Sequence, residues 1–155
     1  MGLGSNLSNP QHQVELGIES LKTLPQSKFI KQSSLYLAPA MGNSMQPDFV
    51  NAVVEIETDM LAVQLLEALL KIEREHGRVR DGTRWGPRIL DLDILLYDNQ
   101  QIHLPLLRIP HPGLVERAFA LIPLLEIAPK VCLPDGKPLA GYLAKLSKVG
   151  IKRLS

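Results

Sequence analysis

The sequence predicts an α+β fold, in which a mainly antiparallel sheet carries helices on one face and is followed by C-terminal additions. Two observations predict this class. Segments with the period of a strand alternate with helical segments in the order βαββαβ. The chain has 155 residues, of which 45% are hydrophobic and 21% charged, and these values are typical of one globular domain. We therefore expect residues 1–155 to form a single domain.

The first half of the chain predicts a strand end, a helix and two longer strands. Residues 1–6 resemble the last residues of a strand running into a turn. Ser8, Asn9 and Pro10 are typical of a helix start, and that helix ends before Pro25. Period-two patterns then predict two strands separated by an unusually long loop, which suggests that the loop is functional: strands 29–37 and 49–58, and loop 38–48.

The second half begins with the strongest helix, 62–76, whose apolar residues form a broad face and whose end Gly77 is suited to cap. A basic loop over 78–88 leads into an apolar strand over 90–97. The predicted C-terminal additions are a short strand, an extended segment, a helix broken at Pro123 and a last helix: 101–104, 105–112, 114–128 and 138–148. The order of elements is that of the split-βαβ or ferredoxin-like plan.

Two carboxylates lie on the strand predicted over 90–97. Because side chains two residues apart in a strand point to the same face, Asp91 and Asp93 lie side by side, while Leu92 and Ile94 point to the other face. Paired like charges on an apolar strand are costly unless a cation neutralises them. Arginines or Mg²⁺, which prefers carboxylate, water and phosphate oxygens, would serve.

The loop before this strand contains four arginines and the only tryptophan of the chain: Arg78, Arg80, Arg84, Arg88 and Trp85. Basic loops are usually only solvated surface. Here glycine and proline break its periodicity, it directly precedes the acids, and guanidinium groups suit phosphate oxygens. Neither a Walker A motif nor a kinase glycine-rich loop occurs in the sequence. The combination favours a loop that closes over a nucleotide.

Other polar or aromatic residues are weaker candidates. His111 stands rigidly between two prolines, although a lone histidine is more often structural, and Arg117 follows six residues later. Glu73 lies near the end of the 62–76 helix. Phe49 and Asn51 share one face of their strand and would suit a flat heterocycle.

The overall composition excludes several classes. A net charge of +1 indicates neither a nucleic-acid nor a membrane partner, and a single cysteine excludes an internal disulfide and a cysteine metal cluster. No apolar run is long enough to span a bilayer and no signal peptide is visible, so we expect a cytoplasmic protein. Two alternatives remain open. One is a ferredoxin-like RNA-binding module, and the other a nucleotide- or metal-binding regulatory domain.

Several motifs in a fixed order resemble the 6-hydroxymethyl-7,8-dihydropterin pyrophosphokinase family of the folate pathway. The most specific is Arg84-Trp85-Gly86-Pro87-Arg88-Ile89-Leu90-Asp91-Leu92-Asp93-Ile94-Leu95. The supporting motifs are Gly4-Ser5-Asn6, Gln46 to Ala52, Glu73 to Arg80, Pro110-His111-Pro112 and Glu116 to Phe119.

The resemblance implies a ferredoxin-like monomer that uses ATP, two Mg²⁺ ions and the pterin, and transfers pyrophosphate to the pterin hydroxymethyl oxygen with release of AMP. It implies that Asp91 and Asp93 bind the metals, that Asp93 also activates the hydroxyl, and that Arg78 and Arg88 act on the transferred phosphates. The implied ATP contacts are Arg80, Arg84, Trp85, Arg88, Ile94, His111 and Arg117. The implied pterin contacts are Ala38, Pro39, Met41, Phe49, Asn51, Glu73, Trp85, Asp91 and Phe119.

The sequence also departs from the family pattern. The first strand is short, since only three residues precede Gly4. Phe49 stands where tyrosine is frequent, so a hydroxyl contact is lost and stacking is retained. Ala38 replaces a common threonine, and Pro112 replaces an aromatic residue.

Overall fold

The computed structural model describes residues 1–40, 45–77 and 89–154. The predicted α+β class is confirmed, since an antiparallel sheet is packed against helices. None of the helices in the described part of the chain combines the length and the apolar character needed to cross a membrane.

The strands and helices follow the predicted order in the first two thirds of the chain, and the last third contains more elements than were predicted. In chain order the strands and helices are β1 (Gly2–Ser5), α1 (Pro10–Leu21), β2 (Ser27–Gln32), β3 (Leu35–Ala38), β4 (Phe49–Thr58), α2 (Ala62–Glu75), β5 (Asp91–Asp93), β6 (Ile102–Leu104), β7 (Leu107–Ile109), α3 (Ala118–Ile127), α4 (Leu139–Leu143) and β8 (Lys152–Leu154). A 3₁₀ turn, Leu114–Glu116, precedes α3.

The main sheet has the strand order β5-β1-β4-β3-β8, with β2 also paired to β4, and β6 and β7 form a separate hairpin. The strand pairings among these elements are antiparallel. Strand β4 is the longest and lies in the middle, so its side chains reach both faces of the sheet. This position makes β4 the strand from which the two layers of the fold are built.

Helices cover both faces of the sheet. Val50, Ala52 and Val54 of β4 belong to one core cluster together with the apolar stripes of α1 and α2. Val53, which points the other way, belongs to a second cluster with α3 and α4. The prediction of helices on one face therefore holds for α1 and α2, and the C-terminal additions cover part of the opposite face.

A carboxylate fixes α3 to the beginning of β3. Glu126 accepts hydrogen bonds from the Ser34 amide at 3.0 Å, the Ser34 hydroxyl at 2.8 Å and the Tyr36 hydroxyl at 2.6 Å. Burial, with this hydrogen bond, raises the pKa of Tyr36 to about 12. Burial alone would raise the pKa of Glu126, but the hydrogen bonds from Tyr36 and Ser34 prevail and lower it. The contact aligns α3 along β3 and thereby places the residues at its beginning.

The strand predicted over 29–37 is divided in two. Ser33 donates its amide to the Val53 carbonyl at 2.8 Å, and its hydroxyl accepts the Val53 amide at 2.9 Å, so a side chain replaces one ladder bond. The Ser34 amide is turned to Glu126. Serine side chains compete with backbone pairing in this way.

The predicted start of α1 is confirmed, since the helix begins at Pro10 directly after Asn9, although Asn9 adopts a left-handed conformation (φ 62°) and its side chain makes no capping hydrogen bond. Other predicted boundaries were wrong. Pro123 lies inside α3, and the break falls at Arg117, which is extended. The strand 90–97 is shortened to β5, because β5 ends at Asp93 opposite Gly2 of its partner β1. By contrast, α2 matches its prediction, with Gly77 (φ 85°) directly after it.

Two boundaries near the end of the chain also differ. The last helix is only Leu139–Leu143, against the predicted 138–148. Strand β8, which pairs with β3, was not predicted. Short elements such as these have too few residues to show a period in sequence.

Candidate active site

A cavity of about 130 Å³ lies on the sheet face opposite α1 and α2. Strands β1, β4 and β5 form its floor, and the chain from 111 to 120 forms its wall. The lining brings together charged, amide and aromatic side chains from distant parts of the sequence: Pro39, Phe49, Asn51, Asp91, Asp93, His111, Arg117 and Phe119, with Gly2, Leu3, Gly4, Ala52, Val53, Leu95, Leu114 and Ala120.

Strand register determines which of these residues are neighbours. Gly4 of β1 is paired with Asp91 of β5 on one side and with Asn51 of β4 on the other, so the three lie in one row across the sheet. Gly2 likewise lies between Asp93 and Val53. Directly paired residues project to the same face. Gly4 thus separates Asp91 from Asn51, and Gly2 separates Asp93 from Val53, so that two positions without side chains open the floor of the cavity.

The space above Gly4 is already limited. A Cβ atom added there would lie 2.9 Å from Oδ1 of Asn51 and 3.6 Å from Cδ1 of Phe49. A glycine inside a strand often marks a close approach of this kind. Gly4 therefore allows the Asn51 amide to lie against the strand.

Asn51 is the polar residue that the fold itself does not satisfy. Its side chain is only 7% exposed, and Nδ2 has no hydrogen-bond partner among the described residues. A buried donor left unpaired costs about 1–3 kcal/mol, so such a group in a native structure needs an explanation. A ligand with a hydrogen-bond acceptor at this point would supply the missing bond.

Two aromatic rings line the cavity near this amide. Phe49 comes from the start of β4 and Phe119 from the first turn of α3, and both are half-buried. Asn6 supports Phe49 indirectly, because its Nδ2 donates to Oε1 of Gln46 at 3.1 Å and to the carbonyl of Pro47 at 3.2 Å. These contacts hold the chain that enters β4. Aromatic surface with a convergent amide suits a flat polar heterocycle.

The carboxylates form the opposite side of the cavity. Asp91 is half-buried and Asp93 is 49% exposed, while Leu92 between them is buried on the other face with α1 and α2. In the described part of the chain no three His, Cys, Asp or Glu side chains gather as a metal cluster. Two acids on one face nevertheless fit Mg²⁺, which takes one or two carboxylates and completes its shell with water and phosphate oxygens.

His111 lies beside the carboxylate of Asp93. Its Nδ1 accepts the Gly113 amide at 3.0 Å, so the neutral ring carries its proton on Nε2, which lies 4.0 Å from Oδ1 of Asp93. The His111 amide also donates to the Leu95 carbonyl at 2.9 Å. Burial lowers the pKa of His111 below its ordinary value, with Asp93 opposing and Arg117 adding to this effect. The ring is therefore a neutral donor that points toward the acids.

Arg117 supplies positive charge to the same wall. Its guanidinium lies 6.0 Å from the centre of the Phe119 ring, within range of a cation–π contact. A Cβ atom on Gly113 would lie 2.5 Å from Nε and 2.6 Å from Cζ of Arg117. The missing side chain at Gly113 thus leaves room for this guanidinium in its present place.

Comparison with known proteins names the family to which these features belong. The sequence profile of the family described as 7,8-dihydro-6-hydroxymethylpterin-pyrophosphokinase (HPPK) matches residues 1–129. The chain belongs to this HPPK family. It is 45% identical to the 2-amino-4-hydroxy-6-hydroxymethyldihydropteridine pyrophosphokinase of Pseudomonas aeruginosa over 154 residues, which cover 99% of this chain and 94% of that protein.

Other relatives agree with this assignment. The protein of the same name from Methylorubrum extorquens is 40% identical over 154 residues, covering 99% of this chain and 96% of the relative. The Folic acid synthesis protein fol1 of Schizosaccharomyces pombe is 37% identical over 156 residues, which are 100% of this chain and 21% of that longer protein. The resemblance recognised in the sequence is confirmed.

Most of the described residues that the HPPK resemblance implied meet in the cavity, and three do not line it. Ala38 is buried in β3 opposite Phe49. Ile94 is buried in the core with α1 and α2. Glu73 is 2% exposed and its Oε2 accepts the Leu92 amide at 2.8 Å. The remaining predicted residues, Met41, Arg78, Arg80, Arg84, Trp85 and Arg88, lie outside the described residues.

The sequence interpretation missed the glycines of the site. Gly2 and Gly4 lie two residues apart in β1 and so share one face of the strand. This spacing of glycines in the sequence could have indicated a strand face open to a ligand. Gly113 carries no such signal, because the group it accommodates belongs to a side chain four residues away. Its role is visible only once Arg117 is placed.

Proposed function

We propose that this HPPK-family chain transfers pyrophosphate from Mg-ATP to the hydroxymethyl group of 6-hydroxymethyl-7,8-dihydropterin and releases AMP, in folate biosynthesis. The observation that carries the proposal is the buried, unpaired Nδ2 of Asn51 in the same cavity as Asp91 and Asp93. One end of the cavity offers the Asn51 amide donor, which has no partner among the described residues, and the other end carries the two carboxylates. A pterin accompanied by a magnesium nucleotide fits both ends.

The pterin occupies the end formed by Asn51 and the two phenylalanines in this proposal. The Asn51 amide donates to a ring acceptor, and Phe49 and Phe119 stack on the heterocycle. Pro39 also lines the cavity. The family resemblance implies further pterin contacts from Ala38 and Met41. Trp85 covers the bound ring. Because Phe49 has no hydroxyl, recognition there depends on stacking rather than on a hydrogen bond.

The acids receive the reacting groups. Asp91 and Asp93 would hold the two Mg²⁺ ions, which would neutralise charge on the phosphates that are transferred. Asp91 also borders the pterin. Asp93 takes part in removing the proton of the hydroxymethyl group, whose oxygen forms the new bond to the β-phosphorus of ATP while the bond to the AMP oxygen breaks. The reaction requires this oxygen to lie in line with the bond that breaks.

The nucleotide lies along the wall made by the chain from 111 to 117. His111 donates from Nε2, and Arg117 pairs with phosphate oxygens. Arg80, Arg84, Trp85, Arg88 and Ile94 complete the ATP contacts in this proposal, and Ile94 is placed to contribute through its backbone because its side chain is in the core. Arg78 and Arg88 neutralise the transferred pyrophosphoryl group in the transition state.

The wider architecture is also part of the proposal. The order β5-β1-β4, with β2 and β3 on the far side of β4, supports a ferredoxin-like plan. We propose that residues 1–155 act as one pyrophosphokinase domain, as a monomer in the cytoplasm, without nucleic-acid or membrane partners.

The deciding experiment is a coupled assay of AMP release from Mg-ATP with and without the hydroxymethyl pterin. We expect AMP only when ATP, Mg²⁺ and the pterin are all present, and a pterin diphosphate as the second product. ATP binding without AMP release would contradict the enzyme and favour a regulatory domain. RNA binding that survives Asp91→Ala would favour the RNA-binding module instead.

A further inference from the structure

The strand that carries both acids is an edge strand of only three paired residues. In the described structure β5 pairs with β1 alone, with Leu92 opposite Leu3. The Leu92 amide points away from β1 and donates to the Glu73 carboxylate. An edge strand presents alternate amides away from the sheet. Leu92, between the two acids, therefore has its outward amide bonded by a residue of α2.

The position of Glu73 indicates that this contact is not incidental. It lies on the face of α2 that packs on the sheet, next to Ile72, and its side chain is 2% exposed. Burying a carboxylate is costly unless it accepts hydrogen bonds. The bond from Leu92 measures 2.8 Å, in the range of a charge-assisted bond. A buried acid on a helix face of leucine and isoleucine thus makes a direct contact with the backbone of β5.

We propose that Glu73 is a positioning residue, which holds the peptide between Asp91 and Asp93 and so fixes the directions of the two carboxylates toward Mg²⁺. The inference rests on the proposed function, because it assigns the purpose of the contact to the magnesium site. It differs from the pterin contact that the family resemblance implied for Glu73, since this side chain lies off the cavity lining.

The physical reason is that β5 is held on one side only by its ladder. Pairing with β1 fixes the distance between the strands but leaves a three-residue edge free to rotate about its own axis. Leu92 is anchored in the core with Leu90 and Ile94, and the bond from Glu73 fixes its peptide plane as well. Since Asp91 and Asp93 extend from that peptide on the other face, any rotation moves both carboxylates.

Three variants separate geometry from charge. Glu73→Gln keeps an oxygen acceptor without the charge, Glu73→Met keeps the length without the acceptor, and Glu73→Asp keeps the charge but shortens the reach. Glu67→Met is the matched control, because Glu67 is an exposed residue of the same helix.

The first measurement is hydrogen exchange of the Leu92 amide by NMR. The second is a Mg²⁺ titration in the presence of a fixed concentration of a non-hydrolysable ATP analogue, followed by the amide shifts of residues 91–93. Loss of one charge-assisted bond corresponds to about a tenfold change in each quantity. We expect Glu73→Met and Glu73→Asp to accelerate Leu92 exchange and to raise the half-saturating Mg²⁺ concentration by about tenfold. Glu73→Gln and Glu67→Met should stay within about threefold of the unchanged chain.

The outcomes that overturn the proposal are distinct. If Leu92 loses its protection but Mg²⁺ half-saturation is unchanged, Glu73 is only structural. If pterin affinity alone falls, Glu73 is a pterin contact. If Glu73→Gln keeps Leu92 protected yet weakens Mg²⁺, charge and not position is responsible. Should Glu73→Met not fold, Glu73→Asp decides. Absence of AMP release by the unchanged chain would sink the proposed function and leave both of these measurements readable.

Discussion

Replacing Gly4 by alanine tests the geometry of the site with a single methyl group. The added Cβ would lie 2.9 Å from Oδ1 of Asn51, whereas ordinary contact begins near 3.4 Å. The Asn51 side chain must therefore move by about 0.5 Å, the difference between these two distances. Gly4 lies in a strand and has no positive φ, so alanine is compatible with the backbone.

The cost follows from what Asn51 does. A displaced amide loses its hydrogen bond to the pterin, and one neutral hydrogen bond contributes about 0.5–1.5 kcal/mol. The upper end of this range corresponds to about a tenfold loss of pterin affinity. We expect Gly4→Ala to raise the dissociation constant and the KM for the pterin by about tenfold. ATP affinity should change by less than about twofold, since the nucleotide wall is not touched.

Two measurements and two controls complete this test. Pterin binding is measured by calorimetry and turnover by AMP release, with the thermal midpoint recorded for each variant. Gly141→Ala is the matched control, because a Cβ there meets nothing within 4 Å. Gly2→Ala should have a smaller effect than Gly4→Ala, since the nearest atom to its Cβ belongs to Leu95 and lies at an ordinary 3.4 Å. A folded Gly4→Ala protein with unchanged pterin affinity would refute the placement of the pterin on Asn51.

Three further outcomes are expected. Gly113→Ala should displace the Arg117 guanidinium and raise the KM for ATP about three- to tenfold. In a chain that already carries Arg117→Ala, Gly113→Ala should not raise this KM further. Additive effects in that double-mutant cycle would contradict the coupling between Gly113 and Arg117. Asp91→Asn should reduce kcat far more than ATP affinity, as stopped-flow and equilibrium binding would show, and equal losses of both would argue against a metal ligand that acts in the transition state. The hydrogen bond from Tyr36 to Glu126 should stabilise the fold by about 1 kcal/mol, measured as the loss in Tyr36→Phe by urea unfolding. Because the pKa of Glu126 is lowered in the fold, its contribution to stability should be present above its unfolded value of 4.5 and disappear as the pH falls through the lower folded value. The pKa of Tyr36 is raised, so its contribution to stability should be complete below pH 10 and disappear as the pH rises through about 12. An unchanged loss of stability at acid pH in Glu126→Gln would contradict this account.

The elements that were predicted well are those with long periodic patterns. Strand β4 and helix α2 have ten and fourteen residues, and both match the predicted segments closely. The common direction of Asp91 and Asp93 follows from strand alternation and was also predicted. The HPPK family was recognised from motifs, and residues from four of the supporting motifs and from the most specific one line one cavity, including Gly4, Asn51, Asp91, His111 and Arg117.

The elements that were predicted poorly depend on distant partners. The break between β2 and β3 occurs because Ser33 binds Val53 through its side chain, and the sequence around Ser33 does not contain Val53. Pro123 is accommodated inside α3, although proline usually ends or bends a helix. Strand β5 is short because its length is decided by its pairing with β1.

The stretch 84–93 predicted a chemistry from the sequence alone: cations for phosphate beside two acids for a metal on one strand face. Only the tertiary structure decided which residues share that face with the acids. Register places Gly4 between Asp91 and Asn51 and turns the Leu92 amide to Glu73, and the Asn51 amide has no partner in the described chain. The reason is physical. Alternation along a strand is a local property that a sequence displays, whereas register across strands is chosen by the packing of the whole domain.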